Sequence, residues 1–166
     1  MRPWLAALAV TVVASPAAAA TSLHTVHVDD FSLSVPTEWR TLTRVGTVRL
    51  MTAAQIPQNG FYVNANVVVT PDASGPPTYL RAALLMNFKR AGINVTSLFI
   101  GHAALPAGSA TTLRYRGTMN GRRLRWLAYV VHAHGRAYAL TFTDGERAFP
   151  SHAGLFAAMA QSFRIS

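Results

Sequence analysis

The sequence predicts an α+β domain in which an antiparallel β-sheet is covered by helices on both faces, an α/β/α sandwich. Two short turn signals, Asn120-Gly121 and His134-Gly135, divide residues 110–143 into three antiparallel strands. Apolar residues occupy both faces of these strands, and such a sheet needs cover on both sides. Two amphipathic helices and the N-terminal segment are available to cover it.

The two turns also predict the register of the three strands, because a two-residue loop pairs the residues that flank it. The predicted pairs are Met119 with Arg122, Arg116 with Arg125, Tyr115 with Trp126, Val131 with Tyr138, Tyr129 with Leu140, and Leu127 with Phe142. One face then carries Leu113, Tyr115, Leu124, Trp126, Ala128 and Val130, and the other carries Leu127, Tyr129, Val131, Tyr138, Leu140 and Phe142.

Further strands precede this segment. Residues 31–35 alternate apolar and polar side chains and stop at Pro36, and residues 61–69 form a longer alternating strand. We expect two short strands at residues 40–43 and 49–53, and another strand at residues 94–104 with a turn at residues 106–109.

Two helices are predicted from apolar side chains at three-to-four spacing. The first begins at Pro77, after a loop at residues 71–77, and ends at Gly92. Its apolar positions are Leu80, Leu84, Phe88 and Ala91, and those of the second helix, which begins at Pro150, are Leu155, Phe156, Met159 and Phe163.

The N-terminus has the pattern of a secretory signal peptide, with Arg2, an apolar run over residues 4–14, Pro16 and a small-residue cleavage site at residues 18–20. We interpret residues 1–20 as this signal and residues 21–166 as a single domain; an uncleaved anchor is the alternative. The chain is 166 residues long with 15 Lys and Arg against 6 Asp and Glu. Without Arg2 the formal charge is +8, and the absence of cysteine excludes a bacterial lipoprotein anchor. We therefore expect a periplasmic or secreted, basic protein.

Four arginines, Arg114, Arg116, Arg123 and Arg125, fall on the face that carries Leu127. Since like charges that face each other across a strand pair repel, an anion or an acidic partner is a candidate ligand there. The alternative is that these side chains only keep a hairpin end soluble. Nucleic acid is not expected, because export removes the chain from it and the sequence has no aromatic and basic recognition strip.

No catalytic, cofactor or metal site is predicted. A His-x-His pair, His132 and His134, lacks further ligands at a diagnostic spacing, although His102, His152, Asp144 and Glu146 are available. The sequence has no nucleophile elbow, no cysteine and no phosphate-binding glycine loop. We interpret Asp144-Gly145 as a turn after the last strand.

The assembled segments resemble the PsbP-like superfamily, which includes PsbP, the periplasmic DcrB proteins and the mycobacterial LpqN lipoproteins. The resemblance covers most of residues 26–165 and rests on residues 31–39 (FSLSVPTEW), residues 64–69 (NANVVV) before Pro71, residues 138–143 (YALTFT) and residues 160–163 (AQSF). It implies an antiparallel sheet between helical layers, with Pro36 and Trp39 at the first turn and Phe163 anchoring the last helix. It also implies an accessory or binding protein without a shared catalytic set.

The function expected is an exported, non-catalytic binding or accessory protein of the bacterial cell envelope, with an envelope protein, an anionic lipid or a glycan as partner. The alternatives are a small exported hydrolase and a structural assembly subunit. A deep polar pocket with Asp or Glu beside His favours the hydrolase, whereas a shallow surface around the arginine hairpin favours binding.

Overall fold

The computed structural model describes residues 21–72 and 77–166, and side chains are described outside residues 77–83. Its elements, in chain order, are β1 (Leu23–Val28), β2 (Phe31–Pro36), β3 (Arg40–Val45), β4 (Val48–Ala53), β5 (Asn64–Pro71), α1 (Pro77–Arg90), β6 (Ile93–Leu105), β7 (Gly108–Met119), β8 (Arg122–Ala133), β9 (Arg136–Gly145), α2 (Phe149–Ser162) and β10 (Arg164–Ile165). The predicted signal peptide and residues 73–76 of the predicted loop lie outside the described residues.

The strands form two antiparallel sheets. The larger sheet has the order β3-β4-β5-β9-β8-β7-β6, and the smaller has the order β1-β2-β10. Both described helices are too short to cross a membrane. The predicted α+β class with an antiparallel sheet is therefore confirmed.

The predicted register of β7, β8 and β9 is confirmed. Arg116 faces Arg125 and Tyr115 faces Trp126, and the other predicted pairs also occur. The first residue of each turn has a positive φ, 50° at Asn120 and 51° at His134. A glycine follows in both turns, so each two-residue loop has the backbone twist that joins antiparallel strands.

Two strands were not predicted. β1 pairs with β2 through a turn at Asp29, whose φ is 50°, and the two-residue β10 pairs with Ser32 and Phe31 of β2. β1 alternates weakly, because its histidines and threonine are exposed and only Val28 is buried. β10 is too short to show a period.

The main core lies between the larger sheet, α2 and the small sheet. Phe156 and Met159 of α2 are fully buried, and Phe156 stacks on Phe142 of β9 with ring centroids 4.9 Å apart. Trp39 and Phe163 belong to the same cluster, and the Trp39 amide donates to the Pro36 carbonyl at 3.0 Å. These three residues have the roles that the resemblance implied.

A second, smaller core lies on the opposite face of β6, β7 and β8. Phe88 of α1 stacks on Tyr115 at 4.4 Å between ring centroids, and Tyr115 stacks on Trp126 at 4.9 Å. The other core members are Leu98, Leu113, Leu124 and Ala128, with Leu84 packed against them. The described part of α1 thus covers this face over β6, β7 and β8.

The predicted apolar residues of both faces are confirmed on β7 and β8, but the face that bears Trp126 is polar on β5 and β9. There β5 and β9 carry Asn64, Asn66 and Thr141 on the face that bears Trp126. The apolar pattern of β7 and β8 does not continue into β9, because the alternation of β9 places threonines beside Trp126 and Ala128. Helical cover of both whole faces is not confirmed.

Burial of Tyr115 predicts a loss of stability in alkali. Burial raises the pKa of its hydroxyl above the ordinary value of 10. The unfolded chain therefore releases this proton at a lower pH than the folded chain does, and the free energy of unfolding falls as the pH rises above about 10. We expect Tyr115→Phe to flatten this fall in urea unfolding measured from pH 9 upwards. The exposed Tyr62→Phe is the control, and an equal slope in both variants contradicts the prediction.

Candidate anion-binding site

The arginines of the β7–β8 hairpin lie on one face of the sheet, as the register predicts. Arg116 lies directly opposite Arg125, and Arg114 lies two residues farther along β7, opposite Leu127. Side chains two apart on a strand point to the same side, so the three guanidinium groups share a surface. The local cause is the Asn120-Gly121 turn, which sets the pairing of the two strands.

These three arginines line an open depression of about 410 Å³. β6 contributes Ser97, Phe99, Ile100, Gly101 and His102, and β7 contributes Thr112 and Tyr115. The Phe99 ring is 68% exposed at the edge of this depression. The Arg125 guanidinium lies over the Phe149 ring at 4.8 Å, which orients it and joins it to the start of α2.

Arg123 lies two residues from Arg125 on the same face of β8 but does not line the first depression. It lines a second depression of about 390 Å³ at the end of the sheet, where it lies beside Arg122 and Arg147. The remaining lining residues are Gln58, Asn59, Phe61, Leu124, Gly145, Glu146 and Ala148. Arg122 Nη1 donates to the Asn59 carbonyl at 3.2 Å, which ties the hairpin end to the loop between β4 and β5.

Glu146 stands between the two depressions. One of its carboxylate oxygens is 3.8 Å from Arg116 Nη1, and the other is 3.4 Å from Arg123 Nε. Both arginine side chains are more than half exposed, so these ion pairs contribute at most about 1 kcal/mol each. Glu146 partly offsets the positive charge of the hairpin and leaves an excess of guanidinium groups around it.

The other carboxylate near the arginines, Asp144, pairs directly with Arg125 across β8 and β9 but lines neither depression. It is 1% exposed and accepts a hydrogen bond from the Gly145 amide at 2.7 Å. Its second oxygen is 2.7 Å from His152 Nδ1. The predicted turn at Asp144-Gly145 is wrong, because β9 continues through Gly145 and the turn follows at residues 146–148.

The pair of Asp144 and His152 was missed at the sequence level, since a spacing of eight residues across a turn carries no diagnostic pattern. A carboxylate that orients His Nδ1 is also found beside catalytic nucleophiles. His152 lines a third depression with Glu38, Trp39 and Gln55. Among the described residues, no serine or threonine hydroxyl donates to the His152 ring. The pair holds the first turn of α2 against the end of β9.

The His-x-His pair does not gather a ligand set in the described part of the chain. His132 Nδ1 lies 2.9 Å from an Asp72 carboxylate oxygen, and His134 occupies the turn before β9. No group of three His, Asp or Glu side chains suited to a metal ion occurs among the residues that the structure describes.

Solved structures of other proteins share the fold of this chain. The solution structure of cyanobacterial PsbP from Synechocystis sp. PCC 6803 matches with a TM-score of 0.66 and 17% identity, over 93% of this chain and 99% of that protein. The chain has a PsbP-like fold. This confirms the PsbP-like fold that the sequence resemblance implied, although helical layers on both faces are not confirmed. No family model and no curated protein matches the sequence.

Two further structures share the PsbP-like fold. LpqN of Mycobacterium tuberculosis, a protein involved in cell envelope biogenesis, matches with a TM-score of 0.58 and 15% identity, over 89% of this chain and 92% of that protein. A Pseudomonas aeruginosa protein of unknown function matches with a TM-score of 0.52 and 14% identity, over 84% of this chain and 94% of that protein. At these identities the likeness describes the fold.

Proposed function

We propose that this protein is an exported, non-catalytic binding or accessory protein of the bacterial cell envelope that binds an anionic partner through Arg114, Arg116 and Arg125. The observation that carries the proposal is the pairing of Arg116 with Arg125 in an open depression. Facing guanidinium groups repel each other, and a phosphate, carboxylate or sulfate group relieves that repulsion.

The site suits an anion in its geometry as well as its charge. Planar guanidinium groups donate paired hydrogen bonds to carboxylate and phosphate oxygens. The Ser97 and Thr112 hydroxyls line the same depression and supply further donors. Cation–π contact with Phe149 holds Arg125 in place, which reduces the entropy lost when a ligand binds.

An exported location is supported by the signal pattern of residues 1–20. It also agrees with the PsbP-like fold that the chain shares with LpqN, which is involved in cell envelope biogenesis. Partners in that compartment include anionic lipids, acidic glycans and other envelope proteins. A nucleic acid partner is not proposed.

The alternative function is a small exported hydrolase, favoured by the hydrogen-bonded pair of Asp144 and His152. A structural role accounts for this pair better. Asp144 accepts from both the Gly145 amide and His152, and the His152 ring lies 6.0 Å from Phe156 between centroids. These contacts join the end of β9 to α2, and we propose no catalytic role for them.

The test is binding of the mature chain to phosphatidylglycerol vesicles and to heparin at low and high salt. We expect Arg116→Gln/Arg125→Gln to weaken binding by about tenfold or more, because each charge-assisted contact contributes roughly 1.5 kcal/mol or more. Added salt should weaken binding by the unsubstituted chain and have little effect on the variant.

The matched control is Arg40→Gln/Arg90→Gln, which removes the same charge from two exposed arginines outside the depression. Arg114→Gln/Arg116→Gln, both exposed, tests the same site without disturbing the contact of Arg125 with Phe149. If the control and both site variants lose binding affinity equally, binding depends on net charge alone and the proposed site is wrong.

A further inference from the structure

Two basic depressions meet at Glu146, and we call the arginines that line them the arginine strip. It comprises Arg114, Arg116 and Arg125 in the first depression, and Arg122, Arg123 and Arg147 in the second. Both depressions are built on the β7–β8 hairpin. Glu146 joins them, since its carboxylate contacts Arg116 on one side and Arg123 on the other.

The arginine strip is longer than a single anionic group. A strand rises about 3.4 Å per residue, so Arg114 and the end of β7 at Met119 are roughly 17 Å apart. A lone phosphate or carboxylate contacts one or two guanidinium groups at a time. A ligand that engages both depressions therefore needs several negative charges spaced along a chain.

Uncharged polar groups accompany the arginines along the strip. The Ser97 and Thr112 hydroxyls line the first depression, and the Gln58 and Asn59 side chains line the second. Hydroxyls and amides both donate and accept hydrogen bonds, which matches the hydroxyl groups of a sugar. The Phe99 ring, 68% exposed, offers an apolar surface to a sugar ring.

The shape of the strip favours a chain molecule over a membrane. Its exposed donors line open depressions of about 410 and 390 Å³. A bilayer surface is broad, and proteins that lie on it insert a projecting apolar face beside their basic residues. The arginine side chains follow the length of the hairpin, an arrangement that matches a narrow chain better than a broad surface.

Resting on the proposed function, we propose that the anionic partner is a linear acidic polysaccharide that lies along the arginine strip and occupies both depressions. Glu146 occupies the position between Arg116 and Arg123 that an acidic group of the polymer takes when bound. Glu146 is therefore a specificity-determining residue. Its negative charge repels ligands that carry few charges. A polymer with several acidic groups can replace both of its long ion pairs, with Arg116 and with Arg123.

The first experiment measures affinity for oligogalacturonates of increasing length, from the monomer to the decamer, by calorimetry. Because linked groups bind as one unit, we expect affinity to rise by about tenfold or more with length until the chain spans both depressions. Arg122→Gln/Arg123→Gln should weaken only the long oligomers, whereas Arg114→Gln/Arg116→Gln should weaken short and long oligomers alike. Affinity that does not depend on length would overturn the inference.

The second experiment compares Glu146→Gln with Glu38→Gln, which removes the same charge from an exposed turn residue. We expect Glu146→Gln to tighten binding of the long oligomers several-fold and Glu38→Gln to leave it unchanged. An equal effect of both variants would overturn the role of Glu146.

The two proposals fail in different ways. If the unsubstituted chain binds phosphatidylglycerol vesicles but no oligogalacturonate, the polysaccharide assignment is wrong and the anion site stands. If it binds no vesicle, heparin or oligogalacturonate, the anion site itself is wrong. Thermal unfolding of each variant shows whether a loss of binding reflects a loss of folding.

Discussion

Replacing Phe156 by alanine is expected to lower the free energy of unfolding by about 3–5 kcal/mol. The side chain is fully buried in the main core, where it stacks on Phe142 at 4.9 Å and packs against Phe149 at 5.1 Å between ring centroids. Its removal leaves a cavity between α2 and β9 that the surrounding backbone cannot close, because both elements are held by their own hydrogen bonds.

Urea unfolding followed by tryptophan fluorescence and by far-ultraviolet circular dichroism measures this loss. Phe99→Ala is the matched control, because the same ring is removed from a side chain that is 68% exposed. We expect the control to change the free energy of unfolding by less than about 0.5 kcal/mol. A loss below about 1 kcal/mol in Phe156→Ala would contradict the packing of α2 on the larger sheet.

Replacing Gly117 by alanine is the second change with a large expected effect. Gly117 lies on β7 opposite a bulge in β6, where the pairing shifts between Val95 and Ser97. A Cβ atom at Gly117 meets the Asn94 carbonyl oxygen and lies 3.0 Å from Val95 Cα. These are backbone atoms that cannot rotate away, so β6 has to move. We expect a loss of about 1–3 kcal/mol in the free energy of unfolding.

Gly154→Ala is the control for this substitution, with an effect of opposite sign. Gly154 is an exposed residue within α2, and an added Cβ meets no atom within 4 Å. Alanine is a better helix former than glycine, so we expect the free energy of unfolding to rise by about 0.5–1 kcal/mol. If Gly117→Ala leaves the urea midpoint unchanged or raises it as Gly154→Ala does, the close approach of β6 to Gly117 is wrong.

Local signals explain why the arginine hairpin was predictable. Asn120-Gly121 and His134-Gly135 are two-residue turns, and a turn of known length determines every pair of the strands that it joins. Counting residues outward from the Asn120-Gly121 turn places Arg116 opposite Arg125. Both helices were predicted for a similar reason, since proline at the start and apolar spacing act within a few turns of chain.

Contacts between distant segments explain what the sequence did not show. The second depression combines the loop between β4 and β5, the β7–β8 hairpin and the turn before α2. Arg123 was predicted to join Arg116 and Arg125, but Glu146 from that turn lies between them. The hydrogen bond between His152 and the Asp144 carboxylate likewise depends on how the chain passes from β9 to α2.

By itself the sequence determined the antiparallel sheet class, the strand register of β7 to β9 and the face that the arginines share. These features depend on side-chain alternation and turn length, which act over a few residues. Only the tertiary structure decided where α2 and the small sheet pack, which half of the opposite face is polar, and that Glu146 contacts arginines of both depressions. Those features depend on contacts between segments far apart in the chain, and no local pattern encodes the distance between them.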